Sequence, residues 1–148
     1  MQARLLPKRD PEIAGLSVAG LCRPAQSTGG DSYDYIQAGS RWLLTVADVA
    51  GKGVPAALLM SNVQAALRGL TAAGGAVGLA DTLVQLNQLV FDATPANRFI
   101  TMFALAYEPE SRTVRYASAG HNPAALLPSR SSRITTRSTS RCTCALRP

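Results

Sequence analysis

Two aspartates, Asp31 and Asp48, have a spacing that could place their carboxylates side by side. They lie in two strand-like segments, DSYDYIQ and RWLLTVADV, which flank the dipeptide Gly39-Ser40. Strand-like runs around a Gly-Ser pair predict a β-hairpin with a two-residue type II′ turn. With these two residues as the loop, Asp31 faces Asp48, and directly opposed Cβ atoms are about 4.5–5.5 Å apart. Two like charges this close, beside an apolar face of the hairpin, repel unless a positive group lies between them.

A divalent cation, or two, would relieve that repulsion. Ligand sets made only of oxygen favour hard ions such as Mg²⁺ or Mn²⁺. Asp34 is a poorer ligand candidate, because it has the other parity in the same strand and faces Thr45 on the opposite side. One alternative stays open, in which Asp31 and Asp48 are solvated residues at strand ends. A bulge in the hairpin would also invalidate the register.

The residues after Asp48 do not form a phosphate-binding loop of the GxxxxGK[ST] type. Val46 and Gly53 stand where that motif needs Gly and Ser or Thr. Lys52 is a weak candidate for holding an anionic substrate, against the alternative of a solvated loop lysine. His121 is the one histidine of the chain, so it cannot share a histidine-based metal site. We expect it to be a structural residue of a turn rather than a proton donor.

The composition favours one globular domain. The chain has 148 residues, of which 47% are hydrophobic and 16% charged, and these values exclude global disorder. The net charge is +6, but residues 129–148 hold five of the 15 basic residues and no acidic residue. The basic balance therefore describes a tail and not a nucleic-acid-binding domain.

The cysteine and hydropathy patterns predict a cytoplasmic protein. Three cysteines, an odd number, argue against a disulfide framework and indicate a reducing compartment. The N-terminal segment is charged and lacks the apolar core of a signal peptide. The longest charge-free stretch, residues 53–67, contains polar residues and is too short to span a bilayer.

The remaining pattern predicts an α+β fold that positions the two carboxylates. Strand-like runs cover LSVAGLCR near the N-terminus, and FITMFALAY, TVRYASAG and AALLP after residue 98. Two helices are predicted between these runs, one starting at Pro55 and one capped by Asp81. Their apolar stripes are predicted to be Leu58, Leu59, Val63, Leu67 and Leu70 in the first helix, and Leu83, Leu86, Val90 and Phe91 in the second. Two helices between antiparallel pairs give a layered domain.

The character of the sequence changes at residue 129. Of the last 20 residues, 16 are Ser, Thr, Arg or Cys. The segment has no apolar period and cannot bury enough surface to fold alone. Two interpretations stay open: a disordered tail, or noise translated after loss of the true reading frame near residue 128.

A succession of motifs resembles the SpoIIE/RsbU-type branch of the PPM (PP2C-like) protein phosphatases. The resemblance is carried, in order over residues 5–127, by LLPKRDPEIAG, RPAQSTGGDSYDY, ADVAGKGVPAALLMSNVQAALR, LNQLV, RFITMFALAY and YASAGHNPAALL. The combination of GGDxYD, DVxGKGxPAALxM and AGHNP is specific to that branch.

The resemblance implies metal-dependent hydrolysis of phosphoserine or phosphothreonine, without a covalent enzyme intermediate. In that family two Mn²⁺ or Mg²⁺ ions activate a water on a central β-sandwich flanked by helices, the αββα architecture. Asp31 matches the aspartate that binds one ion, and Asp48 matches the aspartate that bridges both, so these are the expected catalytic residues. The Val49 carbonyl matches the next metal ligand. The helix from Pro55 resembles the element through which partner domains switch relatives.

The same resemblance implies a small regulatory phosphoprotein as substrate and partner. An anti-sigma-factor antagonist is the expected example. We expect neither a specific nucleic acid nor a membrane as a partner, because the basic charge lies in the tail and no apolar stretch is long enough to span a bilayer. A homodimer is left open, because relatives often dimerise through helices that precede the domain.

The match to the family stops near residue 127. We expect residues 1–128 to form the N-terminal two-thirds of a PPM-type domain and residues 129–148 to form a Ser/Thr/Arg-rich tail. The family's later Gly-Asp segment, TDG-type aspartate and final aspartate, which complete the metal site, have no counterpart here. We therefore expect a truncated domain with impaired activity. The alternative is a catalytically inactive, phosphatase-like binding module for a regulatory partner protein.

Overall fold

The chain forms two four-stranded antiparallel sheets and two helices. The computed structural model describes residues 5–23, 28–73, 78–94, 97–127, 133–137 and 142–147. The strands are β1 (Ser17–Cys22), β2 (Ser32–Ala38), β3 (Arg41–Val49), β4 (Ile100–Glu108), β5 (Thr113–Ala119), β6 (Ala125–Leu127), β7 (Arg133–Arg137) and β8 (Cys142–Arg147). The helices α1 (Gly53–Ala73) and α2 (Leu79–Phe91) lie between β3 and β4. The strand orders are β2-β3-β4-β5 and β1-β8-β7-β6, so the α+β prediction is confirmed.

The β2–β3 hairpin has the predicted register. Ala38 pairs with Arg41, and the pairing continues without a bulge to Ser32 opposite Ala47. Gly39 has a φ of 62°, as the first central residue of a type II′ turn requires. The dipeptide therefore sets which residues of β2 and β3 face each other over the whole hairpin.

Two apolar clusters give the domain its layers, and they lie on opposite faces of the β2–β5 sheet. One cluster packs that sheet against both helices, and it includes Leu43, Ala47, Val63 and Leu86. The other packs the opposite face against the second sheet, and it includes Val18 of β1. The β2–β5 sheet is therefore the middle layer. In the described ranges both helices lie on one side of it, which is one helical layer fewer than the αββα architecture has.

The helices differ from their predicted faces at several positions. Leu58 is 62% exposed and Phe91 is 70% exposed, although both were predicted to lie in apolar stripes. The buried face of α1 includes Leu59, Val63 and Leu67, as predicted, together with Ala56, Ala57 and Met60. This spacing of three and four residues keeps one side of the helix against the sheet. None of the helices in the described part of the chain is long and apolar enough to cross a membrane.

The start of α2 also differs from the prediction. Helix α2 begins at Leu79, after Gly78 at the N-cap position, and no side chain caps it. Asp81 was predicted to be the cap but lies inside the first turn. A carboxylate there still interacts favourably with the positive end of the helix dipole.

Two expectations for the rest of the chain need correction. Residues 129–148, for which a disordered tail is one of the two interpretations, include two strands in the structure, β7 and β8. Backbone hydrogen bonding explains this, because β8 pairs with β1 and β7 along its length and needs no apolar period to do so. Cys22 is disulfide-bonded, whereas the odd cysteine count predicts a reducing compartment without a disulfide framework. An odd count leaves room for one bonded pair.

Side-chain hydrogen bonds join α1 to β2 on the helix side of the β2–β5 sheet. Asp34 is 1% exposed, and its carboxylate accepts two hydrogen bonds from Arg68, from Nε at 2.8 Å and from a terminal nitrogen at 2.7 Å. Asp34 is the largest cause of a raised pKa at Arg68, through the hydrogen bond between them. Gln64, also buried, donates to the Ser32 hydroxyl at 2.6 Å. The helix therefore holds the strand at two points on its inner side.

Replacing Arg68 with alanine should destabilise the protein, because the buried Asp34 carboxylate then loses its cationic partner. Hydrogen bonds to charged groups contribute about 1.5–3 kcal/mol. We expect the free energy of unfolding, measured by urea denaturation at pH 7, to fall by an amount in that range. The matched control is Arg41→Ala, which removes the more exposed ion pair to Glu108 at 3.3 Å. This control should cost about 1 kcal/mol or less, and equal losses in the two variants would contradict the assignment.

Candidate functional site

The hairpin register brings Asp31 and Asp48 opposite each other at one end of the middle sheet. Beyond the last paired residues of β2, the Val49 amide donates to the Gly30 carbonyl at 3.2 Å, so the pairing continues past the strand end. Asp31 and Asp48 lie between this hydrogen bond and the Ser32–Ala47 pair. The antiparallel geometry therefore puts both carboxylates on the face that packs against the second sheet.

Strand β4 adds a third group beside Asp48. Thr101 pairs with Asp48 across β3 and β4, and its hydroxyl is 2.9 Å from Nδ1 of His121. His121 follows β5 and is held there through its backbone, since its carbonyl accepts a hydrogen bond from the Ser118 hydroxyl at 3.1 Å. The histidine that was predicted to be a turn residue is thus joined through Thr101 to the strand beside the carboxylate pair.

Two buried polar atoms at this site have no hydrogen-bond partner among the described residues. They are Oδ1 of Asp31 and Nε2 of His121. Burial lowers the pKa of His121, and the negative charge of Asp31 partly offsets that effect. The two side chains are therefore close enough to interact electrostatically without forming a hydrogen bond. A buried polar atom without a partner is costly unless something else occupies the space beside it.

Gly30 allows the backbone of β3 to approach closely. A Cβ on Gly30 would lie 2.5 Å from the Val49 carbonyl oxygen and 3.0 Å from the Val49 Cβ. The neighbouring Gly29 has no such constraint, since its nearest atom would be the Asp31 nitrogen at 4.0 Å. The second glycine of the GGD motif is thus needed for the position of the Val49 carbonyl, which lies next to Asp48.

The donor atoms at this site fit a divalent cation in part. The Asp31 Oδ1 atom carries charge, is buried and lacks a partner, as expected of an oxygen that binds a cation. No group of three or more Asp, Glu, His or Cys side chains with metal-binding spacing occurs in the described part of the chain. The remaining coordination positions of an ion would be filled by backbone carbonyl, water or groups outside the described ranges.

The other predicted residues lie apart from the pair. Asp34 faces Thr45 as predicted and points to the helix side, where Arg68 binds it. Lys52 is exposed in the loop between β3 and α1.

A cavity of about 590 Å³ lies on the helix side of the sheet, away from the carboxylates. Its walls come mainly from apolar residues of α2 and β4, with Arg98 at one side. One terminal nitrogen of Arg98 is buried without a partner among the described residues, 2.9 Å from where a Cβ on Gly51 would lie. Neither Asp31 nor Asp48 lines this cavity. We therefore place the candidate site at the carboxylate pair, where charged and polar atoms converge.

Comparisons with known proteins agree on one family. The sequence model of the family described as Stage II sporulation protein E (SpoIIE) matches residues 38–144, so the match continues past residue 127, where the motifs had been expected to end. Phosphoserine phosphatase RsbU of Bacillus subtilis (strain 168) is 35% identical to the chain over 123 residues. The aligned region covers 83% of this chain and 36% of that relative, so the chain spans little more than a third of its length.

Solved structures of similar fold come from several bacteria. The RsbU and RsbW domains of a Mycobacterium tuberculosis protein match with a TM-score of 0.65 and 30% identity, over 78% of this chain and 33% of that chain. The SiaA-PP2C domain of Pseudomonas aeruginosa matches with a TM-score of 0.61 and 26% identity, over 69% and 41%. The PP2C phosphatase domain of SpoIIE from Bacillus subtilis, solved with a fragment of its regulatory domain, has a TM-score of 0.68 over 88% and 39%. Its identity is only 13%, so it supports the fold alone.

The motif order, the layered α+β fold and these matches have one common explanation. The chain belongs to the SpoIIE family, in the RsbU-type branch of the PP2C-like PPM phosphatases.

Proposed function

We propose that this chain contributes the metal-binding face of a protein phosphatase that hydrolyses phosphoserine or phosphothreonine. The observation that supports the proposal most strongly is the pair of opposed aspartates, one of which has a buried oxygen with no partner among the described residues. Family membership supports the same chemistry, since the relative from Bacillus subtilis is a phosphoserine phosphatase.

The proposed ligands are Asp31 and Asp48, together with the Val49 carbonyl. They would hold Mn²⁺ or Mg²⁺, with two ions in the complete family site. Carboxylate and carbonyl oxygens suit these hard cations. A side chain at residue 30 would collide with the Val49 carbonyl oxygen. Glycine at this position therefore allows that carbonyl its place beside the aspartate pair, which supports its role as a ligand. Lys52 remains a weak candidate for contact with the anionic substrate.

In the reaction, the chain itself would hold the two carboxylates in the positions that bind the cations. Both carboxylates project from strands that are hydrogen-bonded to each other, so the ligands need little rearrangement when a cation binds. Bound ions would supply a Lewis acid for the phosphoryl group and would activate the attacking water. The apolar cluster on the same face of the sheet would lower the local dielectric beside the pair and so strengthen electrostatic interactions there.

The proposed substrate is a small regulatory phosphoprotein, with an anti-sigma-factor antagonist as the type expected from the family. A cytoplasmic location and a homodimer remain predictions from the sequence. If the chain instead acts as a binding module without turnover, its affinity for the partner protein should survive loss of both aspartates.

Removing either aspartate should remove cation binding. In Asp31→Asn and Asp48→Asn we expect the affinity for Mn²⁺, measured by electron paramagnetic resonance, to fall by more than the roughly 10–100-fold that loss of a supporting residue costs. Any Mn²⁺-dependent hydrolysis of a phosphoserine peptide should fall with it. The control is Asp81→Asn, which removes an exposed carboxylate from the first turn of α2 and should change neither quantity. Unchanged Mn²⁺ affinity in Asp48→Asn would contradict the proposal.

The glycines of the GGD motif offer a second test. Gly30→Ala should force Gly30 and Val49 apart, since the new Cβ would lie 2.5 Å from the Val49 carbonyl oxygen. Overpacking of this kind costs about 1–3 kcal/mol, and we expect both the free energy of unfolding and the Mn²⁺ affinity to fall. Gly29→Ala, with no atom closer than 4.0 Å, is the matched control and should leave both near the wild-type values. If Gly30→Ala loses stability and keeps its full Mn²⁺ affinity, the Val49 carbonyl is not a ligand.

A further inference from the structure

His121 is a second polar group of the carboxylate site whose bonding is incomplete. The residue is only 9% exposed. Its Nδ1 atom is bonded to the Thr101 hydroxyl, while its Nε2 atom is buried without a partner among the described residues. The side chain is thus fixed on one side, and on the other it presents a single atom with unmet hydrogen-bonding capacity.

The bond to Thr101 indicates which nitrogen carries the proton. If the Thr101 hydroxyl donates to Nδ1, the neutral ring carries its proton on Nε2, and one donor remains to be satisfied. If Nδ1 donates instead, both the hydroxyl proton and the Nε2 lone pair lack a partner within the described ranges. Since each unsatisfied buried group costs free energy, the first arrangement is favoured.

We propose that the Nε2–H group of His121 binds a phosphoryl oxygen at the carboxylate site, which makes His121 a substrate-binding residue for phosphomonoesters and inorganic phosphate. This inference rests on the proposed phosphatase function.

A single metal–phosphate complex would provide partners for both Oδ1 of Asp31 and Nε2 of His121. The Asp31 oxygen needs a cation, whereas a protonated Nε2 needs an acceptor. A divalent cation carrying a phosphate provides the cation to the carboxylate and an oxygen to the imidazole. A role for His121 as a further metal ligand fits less well, because the described residues contain no group of three metal-binding side chains that would include it.

Nuclear magnetic resonance of the wild-type chain tests this directly, because His121 is its one histidine and its ring signals need no assignment. In long-range ¹H–¹⁵N spectra we expect a neutral ring protonated at Nε2. Addition of inorganic phosphate in the presence of Mg²⁺ should shift Nε2 and leave Nδ1, which stays bonded to Thr101, nearly unchanged. An unprotonated Nε2 that shifts with Mg²⁺ alone would assign His121 as a metal ligand and overturn the inference. No response of Nε2 to phosphate, with or without Mg²⁺, would overturn it as well.

Two variants separate phosphate binding from cation binding. His121→Leu removes both nitrogens and should weaken inorganic phosphate binding, measured by calorimetry with Mn²⁺ present, roughly tenfold or more. His121→Gln keeps a nitrogen donor at a similar reach and should recover part of that loss. The affinity for Mn²⁺ without phosphate should be unchanged in both.

The two proposals therefore fail in different ways. Absence of Mn²⁺ binding in the wild type would count against the phosphatase proposal. Normal Mn²⁺ binding together with equal phosphate affinity in the wild type and His121→Leu would count against the role of His121 alone. A parallel loss of Mn²⁺ and phosphate affinity in His121→Leu would indicate a structural role and also overturn the inference.

Discussion

The two-residue turn at Gly39 and Ser40 sets the distance between two negative charges. It fixes the register of β2 against β3, and a shift of one residue would move every side chain of one strand to the other face. In the observed register Asp31 and Asp48 come together on the face that packs against the second sheet. Their repulsion disfavours this arrangement in the absence of a cation. The proposed site is therefore a consequence of backbone pairing that is stable for other reasons, chiefly the apolar clusters on both sides of the sheet.

The alternation of side chains along β2 separates two kinds of carboxylate. Asp34 points to the helix side, where Arg68 neutralises it, and Ser32 on the same side binds Gln64. Asp31, next to Ser32, points the other way and has an unpartnered oxygen. Helix α1 therefore holds the strand segment from which Asp31 projects.

Local pattern predicted much of this arrangement. The Gly-Ser turn, the hairpin register and the opposite parity of Asp34 depend on neighbouring residues, and all three are found in the structure. The helix faces were less predictable, because Leu58 and Phe91 have apolar character but lie where no described element covers them. Hydrophobicity alone does not tell which turn of a helix meets the sheet. The strands in the C-terminal segment depend on backbone pairing, of β8 with β1 and of β7 with β6 and β8, and their own composition gives no sign of it.

The proximity of His121 to the site could not be derived from local pattern. It depends on the pairing of β3 with β4, which places Thr101 beside Asp48 after a separation of more than fifty residues. It also depends on the turn after β5, which returns His121 to Thr101. The AGHNP motif contains His121, but only the strand order shows that this residue lies near the two aspartates. Long-range strand pairing is the part of such a site that a single sequence specifies least directly.

The central claim is that the Asp31–Asp48 pair binds a divalent cation. Paramagnetic broadening of the backbone amide signals during a Mn²⁺ titration tests it most directly, because the effect falls steeply with distance from the ion. We expect broadening to begin at residues 30–31 and 48–49, to extend to Thr101 and His121, and to spare α2 and the Gly39-Ser40 turn. Broadening centred anywhere else on the chain, or absent from these residues at saturating Mn²⁺, would contradict the account.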